Sequence, residues 1–227
     1  MKYISRAMEA RLKKYNETYK AILVTGARQV GKSTLLKTVF PDRRYVSLDD
    51  PFLEEQARYN GDMFLALNPA PVTIDEVQRA KELFRYIKIK CDEIDAYGLY
   101  CLSGSQPFHL MANVSESLSG RIGIIELSGL SMRELSNDPY DKHFLPTMQH
   151  IAQHQQTVQP IQNIWEVIHR GSYPELIDSR KEWAAFYADY VKTYLERDVR
   201  ELAAVQDLSA FRRMKKNAFT GKIKPRG

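Results

Sequence analysis

The chain has 227 residues, 44% hydrophobic and 27% charged, a globular composition with room for one substantial domain and a smaller segment. It holds no run of the eighteen or so apolar residues that a membrane span needs, and its charged opening, MKYISRAMEARLKKY, lacks the apolar core of a signal peptide. The net charge of +5 belongs to a tail, because residues 208–227 carry Arg212, Arg213, Lys215, Lys216, Lys222, Lys224 and Arg226 and no acid. Such a tail can add nucleic-acid affinity by neutralising phosphates, but the remaining body is mildly acidic and is not thereby a nucleic-acid-binding surface.

Ile4, Met8, Leu12 and Tyr15 recur at spacings of three and four and predict an amphipathic helix over 4–19. Ala21 to Thr25 is a short buried-type strand, followed by a glycine-flanked loop and a helix carrying Leu35, Leu36, Val39 and Phe40, which Pro41 ends. A second strand is expected at 44–48, and Asp49 or Asp50 then caps a helix with Pro51 in its first turn. A third strand, 72–74, runs into Asp75 and Glu76, and a helix is expected from about 79 to 94. The fourth strand, 98–102, closes in SGSQP. A polar helix to about Ser119 leads to a fifth strand at 122–127. Cys91 and Cys101 fit no metal-site spacing, so reduced thiols in a cytoplasmic protein are expected. Strands alternating with helices imply right-handed crossovers and a mostly parallel, doubly covered sheet, an α/β fold whose ligands bind beyond the carboxyl ends of the strands.

After residue 130 strands are no longer expected. The stretch QHIAQHQQTVQP is polar and exposed, a short helix is expected over 162–170, and a longer one over 182–204. In the longer helix Trp183, Phe186, Tyr187, Tyr190, Val191, Tyr194, Leu195, Val199 and Leu202 form one stripe. Stacking on bases is conceivable for so aromatic a stripe, but helical spacing makes it a packing face.

GARQVGKS, Gly26 to Ser33, matches the phosphate-binding pattern G-x-x-x-x-G-K-[ST] in full. Its glycines let backbone N–H groups approach phosphate oxygens, and the next helix points its N-terminus at the same anion. Gly26, Ala27, Arg28, Gln29, Val30, Gly31, Lys32, Ser33 and Thr34 are the candidate nucleotide-binding residues. Lys32 would reach the β- and γ-phosphates, and Ser33 would ligate Mg²⁺. Asp75 follows Lys32 by 43 residues and ends a buried strand, the position expected of a Mg²⁺ anchor, and Glu76 is placed to activate water. An acidic pair stabilising a helix N-terminus is the alternative. Ser103 or Ser105 could touch the γ-phosphate or the water, or simply shape a Ser-Gly-Ser turn. Arg121, just before the fifth strand, is either a finger on a neighbouring subunit's nucleotide or a solvated strand-end residue. His150 and His154 lack the adjacent acid of a zinc motif. No N-K-x-D or T-K-x-D occurs, which favours ATP over a guanine nucleotide.

The pieces LVTGARQVGKSTLL, VSLDDP, TIDEVQRA, CLSGSQ, LSGRIGIIELSGLSMREL, GSYPEL and YVKTYLERDVREL, spread over residues 1–211, resemble the prokaryotic AAA-type P-loop ATPases related to the archaeal ATPases. The resemblance implies ATP with Mg²⁺ and a five-stranded core of order 5-1-4-3-2. It places Lys32 and Ser33 in the phosphate loop, Asp75 and Glu76 in the second motif, and a strand-four serine as sensor. In that family the chain continues past DLSAFRR into a second domain, whereas MKKNAFTGKIKPRG abandons apolar periodicity, so a shortened member is expected. The expected organisation is an ATPase core over 1–130, a helical lid over 131–211 and a basic tail over 212–227. The expected activity is Mg²⁺-dependent ATP hydrolysis coupled to the helical segment. The rival readings are a nucleotide switch with negligible turnover and a DNA-associated ATPase. A homo-oligomer through a trans arginine is a further expectation.

Overall fold

The computed structural model describes residues 3–105, 118–137, 145–157, 163–178 and 181–195. They fall into two compact units, Met1–Arg180 and Lys181–Gly227.

The first unit is built on five parallel strands, β1 (Ala21–Thr25), β2 (Arg44–Ser47), β3 (Val72–Asp75), β4 (Tyr100–Gly104) and β5 (Ile122–Glu126), in the order β2-β3-β4-β1-β5. This is the 5-1-4-3-2 order that the family resemblance implies. Strands β1, β3 and β4 are buried at every residue, as strands covered on both faces must be, while edge strand β5 alternates. Alternate side chains of β1 enter opposite cores. Ile22 and Val24 meet Leu12 of α1 (Met8–Thr18) and Leu35 and Leu36 of α2 (Lys32–Val39). Ala21 and Leu23 join the core on the other face, which holds Phe64, Phe84 and Ile87 from α4 (Gly61–Leu67) and α5 (Leu83–Glu93). Between β2 and α4, α3 (Pro51–Tyr59) starts as expected, with Asp50 accepting from the Phe52 and Leu53 N–H groups.

Several boundaries differ from the sequence expectation for physical reasons. The first helix begins at Met8, because Glu9 Oε1 accepts from Tyr3 Oη, Ser5 Oγ and the Arg6 N–H and holds residues 3–6 as a non-helical strap. The helix expected over 79–94 starts late: Glu76 takes a left-handed backbone (φ 56°), a single 3₁₀ turn spans Val77–Arg79, and α5 begins only at Leu83. Strand β4 runs to Gly104 rather than stopping at 102, which draws Ser103 into the sheet with no exposed surface. Helix α4 has no counterpart in the sequence expectation. Its Asn-Gly start reads as a turn, and only Gly61, Phe64 and Leu65 bury.

Beyond β5 come α6 (Met132–Leu135), α7 (Met148–Thr157), α8 (Ile164–Arg170) and α9 (Pro174–Asp178). The glutamine-rich stretch is thus helical as far as Thr157, with most of its described side chains exposed. In the second unit, α10 (Trp183–Tyr190) passes into one wider turn, Val191–Leu195. Phe186 buries and stacks on Tyr190 with ring centroids 6.0 Å apart, in keeping with a packing face. The polar helix before Ser119, Gln106, the rest of the long helix beyond 195 and the basic tail lie outside the described residues.

Cys91 and Cys101 are free and buried, and burial pushes both thiols up to about 11, so they remain protonated. Among the described residues no helix is long and apolar enough to cross a membrane, and no group of three His, Cys, Asp or Glu could by itself hold a metal.

Candidate functional site

The carboxyl ends of β1, β3 and β4 meet at one polar cluster, and each arm has a local cause. Gly26 leaves β1 with φ 143°, and a Cβ there would lie 2.1 Å from the Leu127 carbonyl oxygen, so only glycine fits. The loop turns through Gln29 (φ 62°) and Gly31 (φ 95°), and Gly31 is the N-cap residue of α2. Ala27, Gln29 and Thr34 are exposed, Arg28, Gly31 and Ser33 half-buried, and Gly26, Val30 and Lys32 buried. The first turn of α2 therefore presents unpaired N–H groups beside a buried cation, a combination suited to an anion.

Lys32 folds back, its Nζ donating to the Gly26 carbonyl (3.0 Å) and the Ala27 carbonyl (2.8 Å). Burial pushes its pKa down, while the nearby Glu76 and Asp75 carboxylates pull it up. A bound polyanion would restore the charge balance that burial disfavours.

Asp75 is 5% exposed and is the hub. Ser33 Oγ donates to its Oδ2 at 2.7 Å, and Tyr45 Oη donates to the same oxygen. Ser103 Oγ and the Glu76 N–H, the latter at 3.0 Å, donate to Oδ1. Burial and the bond to Asp75 push the Tyr45 phenol well above its ordinary value, so it serves as a neutral donor. A hydroxyl and a carboxylate side by side at the end of an anion loop suit a hard cation such as Mg²⁺, which takes one or two protein oxygens and completes its shell with phosphates and water. Glu76 is half-buried, and its Oε2 accepts from Gln78 Nε2 and, at 3.5 Å, from Ser105 Oγ.

The structure thus brings Lys32, Ser33, Asp75, Glu76 and Ser103 together. Arg121 is elsewhere: its carbonyl accepts from the Ala21 N–H at the start of β1, so it sits at the opposite edge of the sheet, one five-residue strand (roughly 16 Å) from the loop. Its guanidinium is paired with Asp92.

Three features escape sequence inspection. Tyr45 reaches Asp75 because β2 and β3 pair in the register Tyr45↔Thr73 and Ser47↔Asp75. A cavity of about 300 Å³ opens beside the loop, lined by Tyr3, Ile4, Arg6, Gly31, Thr34, Leu130 and Pro174. Arg6 and Glu134, 6% and 7% exposed, form an ion pair (Nε to Oε1, 3.1 Å) next to that cavity. The one local signal was the capping box that Glu134 forms with Ser131.

A family model described as an AAA domain matches residues 18–136, and one described as a domain of unknown function matches residues 161–218. Uncharacterized proteins of Mycobacterium tuberculosis and Mycobacterium bovis are each 29% identical over 212 residues, covering 92% of this chain and 42% of theirs. The chain therefore spans less than half the length of these relatives. Among solved structures, a Walker-type ATPase of Pyrococcus abyssi is similar at 17% identity and a TM-score of 0.48, over 95% of this chain and 77% of that one. DnaA of Aquifex aeolicus bound to AMPPCP is similar at 14% identity and a TM-score of 0.43, over 87% and 62%.

Proposed function

Because this chain belongs to the AAA-type P-loop ATPase family, we propose that its first unit binds ATP with Mg²⁺ and hydrolyses it to ADP and phosphate. The observation that carries this reading is the 2.7 Å bond from Ser33 to Asp75, which joins the last residue of the phosphate loop to the end of β3. Two motifs 42 residues apart in sequence converge on one oxygen cluster with Lys32 beside it.

In this reading the loop amides from Gly26 to Thr34 and the first turn of α2 receive the phosphates. Lys32 leaves its two carbonyl acceptors for the β- and γ-oxygens. Ser33 and Asp75 are the groups that would hold Mg²⁺, which when bound neutralises charge on the β- and γ-phosphates. Tyr45 and Ser103 orient the Asp75 carboxylate, and Glu76 accepts the proton of the attacking water. The apolar walls of the cavity, Tyr3, Ile4, Leu130 and Pro174, take the base. Lys32→Ala should abolish ATP binding, measured by calorimetry. Glu76→Gln should keep ATP bound and lose turnover, and full turnover in that variant would contradict the assignment.

One observation favours a second reading, a nucleotide switch with little turnover: the Glu76 carboxylate is occupied by Gln78 and Ser105. Gln78→Ala separates the two. A rise in turnover would mean that Gln78 restrains a working base, and no turnover in either form would favour the switch. Coupling of nucleotide state to the helical segment, a contribution of Arg121 to a neighbouring copy's site, and DNA association through the tail are further parts of the proposal. Arg121→Ala should flatten any dependence of specific turnover on protein concentration, and deletion of residues 212–227 should remove DNA binding.

A further inference from the structure

We propose that Arg6 is a positioning residue for the phosphate loop, setting the peptide between Val30 and Gly31 so that the Gly31 N–H faces the bound anion. Four contacts define its role. Its Nη1 donates to the Val30 carbonyl at 2.8 Å, its Nη2 to the Ser128 and Gly129 carbonyls at 2.6 and 3.2 Å, and its Nε to Glu134 Oε1 at 3.1 Å. One guanidinium thus ties the N-terminal strap, the phosphate loop and the segment leaving β5.

A peptide unit is planar and trans, so its C=O and N–H point in opposite directions. Arg6 holds the Val30 oxygen, so the Gly31 N–H of the same peptide points away from the guanidinium. Gly31, at φ 95°, takes a left-handed backbone that glycine adopts without Cβ strain, so its own side chain does nothing to fix the peptide. A Cβ on Gly31 would lie 3.6 Å from Arg6 Nη1, which places the guanidinium directly against this peptide.

Stability alone does not account for burying the pair. Desolvating two charges costs about what their attraction returns, and apolar replacements of such pairs are often neutral. Glu134 is itself held in place. Burial would raise its pKa, but the Ser131 and Ala7 N–H groups and Arg6 outweigh this and keep the carboxyl below its ordinary value, ionised and facing Arg6. The fold therefore devotes two backbone donors and a carboxylate to fixing one guanidinium on the loop.

This assignment rests on the nucleotide reading, and the experiment separates the two. Binding of tripolyphosphate and of ATP to the full chain is measured by calorimetry, with melting followed by circular dichroism, for the unmodified protein, R6K, the double variant R6M/E134L and I87A. Ile87 lies in the core on the other face of the sheet and serves as a stability control. R6K and R6M/E134L are expected to fold and to lose at least tenfold in affinity for both ligands, tripolyphosphate included because the defect is in the loop rather than the base cavity. I87A should melt earlier and bind within twofold of the unmodified chain. The double variant decides if R6K does not fold, since it leaves no unpaired charge. Affinity within twofold in a folded Arg6 variant overturns the positioning role while leaving the nucleotide reading intact. Failure of the unmodified chain to bind either ligand overturns both.

Discussion

Two arginine–carboxylate pairs of the first unit occupy opposite ends of the parallel sheet, and their surroundings differ completely. At the carboxyl end, Arg6 and Glu134 have side chains 5% exposed each, and every remaining donor of the guanidinium that bonds does so to a backbone carbonyl. At the amino end, Arg121 and Asp92 are 36% and 47% exposed, and among the described residues the Ser119 carbonyl alone adds a hydrogen bond to the pair. Water and salt screen the second pair, and its members can exchange partners at little cost. The first pair cannot relax without stranding a buried charge. One end of the sheet is therefore preorganised around the Gly26–Ser33 loop and Asp75, while the other ends in a solvent-exposed arginine paired with Asp92.

The largest expected effect lies at the preorganised end. Lys32→Ala should reduce ATP affinity by more than about a hundredfold, since it removes a charge-assisted contact and the focus of the loop; calorimetry checks this. Next is Arg6→Ala, which leaves Glu134 buried and unpaired and should cost about 3–5 kcal/mol in urea-induced unfolding. The pH dependence sharpens the contrast. The folded-state pKa of Glu134 is depressed, so its contribution is complete above the ordinary value of about 4.5 and is lost as pH falls through the lower folded value. Urea midpoints below pH 4.5 should therefore converge between the unmodified chain and Glu134→Gln. Smaller still, Tyr45→Phe removes one of the four donors on Asp75 and should weaken Mg²⁺-dependent nucleotide binding by about tenfold, with metal-free binding unchanged, in a titration with and without chelator. The smallest effect belongs to the exposed end. Arg121→Ala should shift Tm by about 2 °C or less, a difference that 1 M salt erases. A large loss of stability there would show that the exposed pair also holds the fold together.

What could be foreseen from the residues follows how locally each feature is encoded. Gly26 to Ser33 is a continuous stretch in which glycine placement, a preceding apolar strand and a following helix agree, and Asp75 ends an apolar run, so both were legible. Ser103 was legible as a residue at a strand end, but its bond to Asp75 depends on the β3–β4 pairing. Tyr45 was missed because its contact requires the β2–β3 register, which no periodicity specifies. Arg6 and Glu134 stand 128 positions apart, and in sequence each looks like an ordinary charge on a helical stretch. The late start of α5 was hidden for another reason. Its apolar spacing fits a helix from about 79 onward, and only the 3₁₀ turn at Val77–Arg79 and the turn at 81–82 show that tertiary packing delays it to Leu83.

The most direct test of the central claim is ATP turnover with Mg²⁺ by the full chain across a range of protein concentrations, with Lys32→Ala as the blank. Turnover above the blank is expected, lost in Glu76→Gln while ATP binding persists. Turnover equal to the blank, with no ATP bound by the unmodified chain, would contradict the claim.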